Sequence, residues 1–203
     1  LYIYNVEQDE LRPALIRGKD FPRNIQSLAT DQKNLYIGMK DEVGCYSFAT
    51  SDYQVISHPE FFYISTLMLD SSESTLWIGN AHHLHRMNLN TKEIERVRDF
   101  YVVKSIAKDD NNLLIGTDNG LYVCDRQGTW HLISHDARNS QSLSSNVVNM
   151  FFKDANGNIW IGTDNGISLA AHNPSIRSRS LFDITGSDEG CQISSIPVSY
   201  THL

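Results

Sequence analysis

Few residues in this sequence are spaced for chemistry. The histidines His82, His83 and His85 cluster, and His83 and His85 would share one face of a strand as a possible pair of metal ligands. No acidic or thiol partner stands near them in sequence, so a third ligand would have to come from elsewhere, and a solvated variable hairpin is the preferred reading. No metal and no cofactor is expected. Trp77 and Trp160 could stack on sugar rings, but both fall at one position of a repeat and read better as packing residues. Trp130 lies outside that register, at the start of an outer strand, and is kept as a weak ligand candidate with His83 and His85. Arg96, Arg98, Arg177 and Arg179 alternate on outer strands. Bidentate bonds to a sulfate or carboxylate are open to them, although a solvated sheet edge is the preferred reading. Of these, Arg177 and Arg179 join the candidates. The run 154–158, Asp-Ala-Asn-Gly-Asn, resembles the opening of a calcium loop but lacks the later bidentate glutamate, so it reads as a turn. There is no nucleophile elbow, no HExxH and no phosphate loop. No catalytic residue is assigned, and no enzymatic activity is expected of this segment.

The elements that must position these residues come from a repeat. Leu35-Tyr36-Ile37-Gly38, Leu76-Trp77-Ile78-Gly79, Leu113-Leu114-Ile115-Gly116 and Ile159-Trp160-Ile161-Gly162 recur at intervals of 41, 37 and 46 residues. These periods suit four-stranded propeller blades rather than the shorter helical repeats. An alternating run ending at an acidic turn precedes each copy. These runs begin at Ile25, Ile64, Val103 and Val147, and their turns begin at Asp31, Asp70, Asp109 and Asp154. Two copies continue as Thr-Asp-Asn-Gly, at 117–120 and 163–166. Asn119-Gly120 and Asn165-Gly166 predict type I′ hairpins, with positive φ at both central residues. One such sheet cannot bury both of its faces, but stacking it between neighbours can. The expected fold is all-β, a partial β-propeller of about four to five blades from a seven-bladed ring. Blades are expected over 24–57, 63–99, 102–135 and 146–182, after outer strands of a preceding blade in 1–23. A linker and the first strand of a next blade are expected in 183–196.

Composition narrows the function classes. The chain has 203 residues, of which 40% are hydrophobic and 20% charged, with a net charge of −7. A compact chain of this size buries roughly 70% of its unfolded surface, so it needs no staples. The negative charge argues against a surface built to neutralise nucleic-acid phosphates. The longest apolar runs, such as 61–64, are too short to span a bilayer. Cys45, Cys124 and Cys191 form no CxxC and read as free thiols. The chain opens on Leu1, with its first methionine at Met39, and is expected to be part of a longer protein. Residues 198–203 resemble a translated sequencing adapter and are expected to be non-native.

The segments 142–148 and 153–167 closely resemble the two-component regulator propeller repeat, and 184–190 resembles the segment between later blades of such sensors. The copy at 79–84 departs from the repeat because its second glycine is missing, and 38–44 is one residue longer. The resemblance implies an extracytoplasmic, periplasmic sensor segment of a hybrid two-component histidine kinase. An oligosaccharide is the implied ligand, with dimerisation through the parent protein and membrane attachment only through a downstream region. The alternatives are a protein-interaction scaffold or the sensor of a propeller-linked diguanylate cyclase.

Overall fold

The computed structural model describes residues 2–13, 15–16, 19–20, 24–109, 112–139, 141–170 and 176–179. Among the described residues every regular element is a strand. Among the described residues no helix is long and apolar enough to cross a membrane. Four sheets of four strands follow one another, each antiparallel and each in chain order. Sheet I holds Ser27–Thr30, Asn34–Gly38, Glu42–Ser47 and Tyr53–Ser57. Sheet II holds Thr66–Asp70, Thr75–Gly79, His83–Asn88 and Ile94–Asp99. Sheet III holds Val103–Asp109, Asn112–Thr117, Gly120–Cys124 and Trp130–Ile133. Sheet IV holds Val148–Lys153, Ile159–Thr163, Gly166–Ala170 and Ile176–Arg179. Two short pairs precede them, Tyr2–Asn5 with Glu10–Pro13 and Leu15–Ile16 with Lys19–Asp20. This is the all-β, partial-propeller fold that the repeat predicts. The expected strand in 190–196 and the tail 198–203 lie outside the described residues.

The repeated tetrapeptide forms the second strand of every sheet. That strand is apolar at nearly every position because both of its faces are covered. Thr75–Gly79 is buried from end to end, and Leu113 to Thr117 likewise. Polar residues return on outer strands such as Ile94–Asp99, where four of six residues are exposed.

The chain divides into two compact units, residues 1–80 with 85–95, and 81–84 with 96–203. The first is centred on Tyr36, Val43, Phe61, Ile64, Leu67, Leu76, Ile78 and Met87. Burial there pushes the Tyr36 hydroxyl up to about 12. The second unit is centred on Leu114, Leu121, Leu143, Val148, Ile159 and Ile161.

The repeat glycine has a steric reason in both units. A β-carbon on Gly38 would sit 3.1 Å from Ile64 and 3.3 Å from Leu67, at the start of sheet II. On Gly116 it would lie 2.3 Å from Ser105 Oγ and 2.8 Å from both Val148 Cγ1 and the Val148 carbonyl, the first residue of sheet IV. The glycine is therefore the seat on which the next sheet's leading edge rests.

The hairpin expectation needs correction. In both Thr-Asp-Asn-Gly copies the threonine pairs with the glycine, Thr117 with Gly120 and Thr163 with Gly166. The two-residue turns are therefore Asp118-Asn119 and Asp164-Asn165, and none of these four has positive φ. Only the glycines do, at 122° for Gly120 and 113° for Gly166. The reason is the threonine. Thr117 Oγ1 accepts the Asn119 N–H at 3.0 Å and donates to the Gly120 carbonyl at 2.9 Å, and Thr163 does the same around Asn165 and Gly166. This local capping moves the turn one residue towards the N-terminus.

Candidate functional site

A groove of about 400 Å³ lies on sheet II within the first unit, lined by Glu73, Thr75, Arg86, Asn88, Glu93 and Glu95. Two capped turns build it. The turn after the first strand is held by Asp70, whose Oδ1 accepts the N–H groups of Ser72 at 3.0 Å and Glu73 at 3.3 Å. Ser74 closes that turn at φ 50°, and the Thr75 hydroxyl donates back to the Glu73 carbonyl. The turn after the third strand is held by Asn88, whose Oδ1 accepts from Asn90 at 2.8 Å and Thr91 at 3.0 Å. The Leu89 N–H donates to the Ser74 carbonyl at 2.8 Å, which ties the two turns together. Strand alternation then sorts the side chains. Met87 enters the core, while Arg86 and Asn88 point to the other face. Arg86 Nε donates to Glu95 Oε1 at 2.7 Å, and both side chains are at least half exposed. The arrangement presents carboxylate acceptors beside guanidinium and amide donors, which is the complement of a hydroxyl-rich molecule. The signal for it in the sequence was the i, i+2 spacing of polar residues on two neighbouring strands, Arg86/Asn88 and Glu93/Glu95.

The residues singled out from sequence are dispersed. His83 Nδ1 is 3.1 Å from Asp99 Oδ1. His85 is fully buried, with Nε2 3.1 Å from Glu60 Oε2. The solvated hairpin expected here is therefore corrected at His85, whose side chain is wholly buried because its strand face packs into the core beside Met87. Trp130 is half-buried. The Arg98 guanidinium lies 5.1 Å from its ring centroid, and the Phe100 ring packs on it at 5.6 Å. Arg98 therefore spends its charge on aromatic faces, and Arg96 stands 3.7 Å from Asp99. Arg177 and Arg179 lie on the fourth strand of sheet IV, paired with Leu169 and Ile167. Trp77 is buried in its second strand. The Trp160 indole N–H donates to Asp154 Oδ2 at 3.0 Å. The oxygens of Asp154 also accept from Asn156 and Asn158, so they cap a turn. Cys45 and Cys124 are free, and burial raises the pKa of both thiols. Cys191 lies outside the described residues.

Sequence reasoning missed His58 and Glu60, which occupy the turn between sheets I and II. The only trace of them was a His-Pro-Glu-Phe run at 58–61, whose proline marks a turn without saying what it faces.

Comparison with known proteins gives a consistent picture. Residues 142–165 match the family model described as two component regulator propeller. Two solved structures of an extracellular domain from B. thetaiotaomicron are 32% identical to this chain. One is described as part of a hybrid two component system, with a TM-score of 0.75 over 93% of this chain and 27% of that one. The other is described as part of a one component system, with a TM-score of 0.73 over 85% of this chain and 25% of that one. The extracellular domain of a second B. thetaiotaomicron hybrid two component system is 18% identical, with a TM-score of 0.64 over 89% of this chain and 31% of that one, and shares the fold. The chain thus spans about a quarter to a third of the length of these domains. No curated protein matches the sequence.

Proposed function

We propose that this chain, which carries two-component regulator propeller repeats, is a ligand-sensing segment in the periplasmic sensor region of a hybrid two-component signalling protein. Its ligand in this reading is an oligosaccharide, and its output regulates polysaccharide use. The observation that carries the reading is the 32% identity, over 93% of the chain, to an extracellular domain described as part of a hybrid two component system. The groove on sheet II supports the choice of ligand class. Carboxylates accept the hydroxyl hydrogens of a sugar, while Arg86 and Asn88 donate to its oxygens. Three glutamates against one arginine make the lining acidic, which favours neutral over sulfated or uronic glycans. A volume near 400 Å³ lies in the range of small-molecule sites.

The segment binds, and any kinase chemistry belongs to other parts of the parent protein. Binding shifts signalling only if the ligand prefers one arrangement of the dimerised receptor over another. Isothermal titration of the chain with neutral and anionic oligosaccharides tests the reading. Saturable heat from a neutral glycan is expected. Absence of binding across the panel, or binding confined to anionic glycans, would contradict it.

A further inference from the structure

A second cluster, within the first unit, carries an inference independent of the sensing role. His58, Glu60 and His85 bring one imidazole nitrogen each from the histidines and one carboxylate oxygen to within 4.8 Å of one another. Two rigid elements supply them. His85 sits on the third strand of sheet II with its side chain wholly buried, between Leu84 and a run that ends in the core at Met87. His58 and Glu60 lie on a tight turn, closed by the Phe61 N–H donating to the His58 carbonyl at 3.0 Å, with Pro59 inside it. Buried Asn80 donates its side-chain N–H to the Glu60 carbonyl at 2.9 Å and fixes the turn against the end of the second strand. Phe61 is buried in the core and packs its ring on both histidines, at 5.4 and 5.5 Å, while the two imidazoles stand 5.3 Å apart.

We propose that these three residues form a binding site for a divalent transition-metal ion of the zinc class. Two imidazoles and one carboxylate are a borderline ligand set that suits zinc rather than calcium or magnesium. Bonds of about 2.0–2.1 Å at tetrahedral angles put donor atoms roughly 3.3 Å apart. His85 Nε2 and Glu60 Oε2 are already at 3.1 Å. The remaining separations close by side-chain rotation of His58, which is only half-buried. Two hydrogen bonds are exchanged for metal bonds: the His85 Nε2–H that Glu60 Oε2 accepts at 3.1 Å gives up its proton to solvent when both atoms ligate, and a second contact goes with it. The Glu60 N–H donates to His58 Nδ1 at 3.3 Å, and ligation through either nitrogen of that ring ends this long contact. Three protein ligands leave a fourth position for water or an incoming ligand oxygen. The ion would clip the turn after sheet I to the third strand of sheet II.

The test uses the full 203-residue chain stripped with a chelator, titrated with Zn²⁺ in competition with a chromophoric chelator, and loaded separately with Co²⁺. The expected result is one Zn²⁺ per chain and visible Co²⁺ ligand-field bands of a four-coordinate site. Glu60→Gln and His58→Gln, both on the partly exposed turn, should keep the far-ultraviolet spectrum. Each should weaken Zn²⁺ by more than the roughly 10-fold typical of losing a supporting residue around a metal. His82→Gln should leave affinity unchanged. Absence of stoichiometric binding, or equal affinity in the wild type and both turn variants, would overturn the site.

Discussion

Two junctions between successive sheets occupy the same place in the repeat but are held differently. Where sheet II follows sheet I, the repeat glycine meets only side-chain carbons, which can give way. Side-chain carbons of Ile64 and Leu67 face Gly38, while the Leu67 N–H donates to Ser27 Oγ at 2.9 Å and the Ile64 N–H to the Lys40 carbonyl at 3.0 Å. Where sheet IV follows sheet III, the contact is tight and polar. The Val148 backbone itself faces Gly116. Lys104 reaches Asn149 at 3.2 Å and Asp118 at 2.9 Å, and Asn149 continues to Asp164 at 2.7 Å. At the other end of the same strands Lys153 pairs with Asp109 at 2.8 Å. The repeat thus fixes where neighbouring sheets meet, while residues outside it decide what joins them.

The largest expected effect comes from Gly116→Ala. A backbone carbonyl 2.8 Å from the new methyl cannot rotate away, so a loss at the upper end of the roughly 1–3 kcal/mol typical of overpacking is expected, read from urea midpoints. Gly38→Ala meets only side-chain carbons and should cost less than about 1 kcal/mol by the same scale. Equal losses would break the comparison. Next comes Ser27→Ala, which leaves the Leu67 N–H without its acceptor and should cost about 1–2 kcal/mol, measured by thermal unfolding. A silent Ser27→Ala would mean that water replaces that bond.

Lys153→Met should cost less, about 0.2–1 kcal/mol, because the pair with Asp109 is partly exposed. High salt should erase the difference from wild type in this variant and leave the Ser27→Ala difference intact.

The smallest effect is on acid titration. Hydrogen bonds from Asn158 and then from the Trp160 indole lower the pKa of Asp154 to about 2. A carboxyl lowered in the folded state adds stability above its ordinary value near 3.8 and loses that contribution as pH falls towards 2. The Trp160 indole N–H resonance should therefore move with a midpoint near pH 2. A midpoint near 4 would mean that the cap does not hold the carboxylate.

The architecture was readable because the repeat repeats a physical constraint. An apolar strand covered on both faces ends in the glycine that seats the next sheet, and four spaced copies are hard to mistake. The hairpin turns were misread by one residue because Asn-Gly outweighed the threonine before it, and only the pairing of Thr117 with Gly120 reveals which residue caps the turn. The clusters of interest were the least legible. Glu60 and His85 are separated by 25 residues, and such an encounter is set by packing between sheets rather than by spacing along one strand. The groove was partly legible, because Arg86/Asn88 and Glu93/Glu95 show the period of two, but nothing local told that two capped turns would converge.

We propose above that the acidic groove of sheet II receives a neutral oligosaccharide. The most direct measurement is titration of one neutral glycan into the wild-type chain and into Arg86→Ala and Glu95→Gln, which break the 2.7 Å pair in the groove lining. Saturable heat in the wild type that falls at least ~10-fold in affinity in both variants, in line with 1.4 kcal/mol per decade, is the expected result. Unchanged affinity in both variants, or no heat from the wild type, would contradict it.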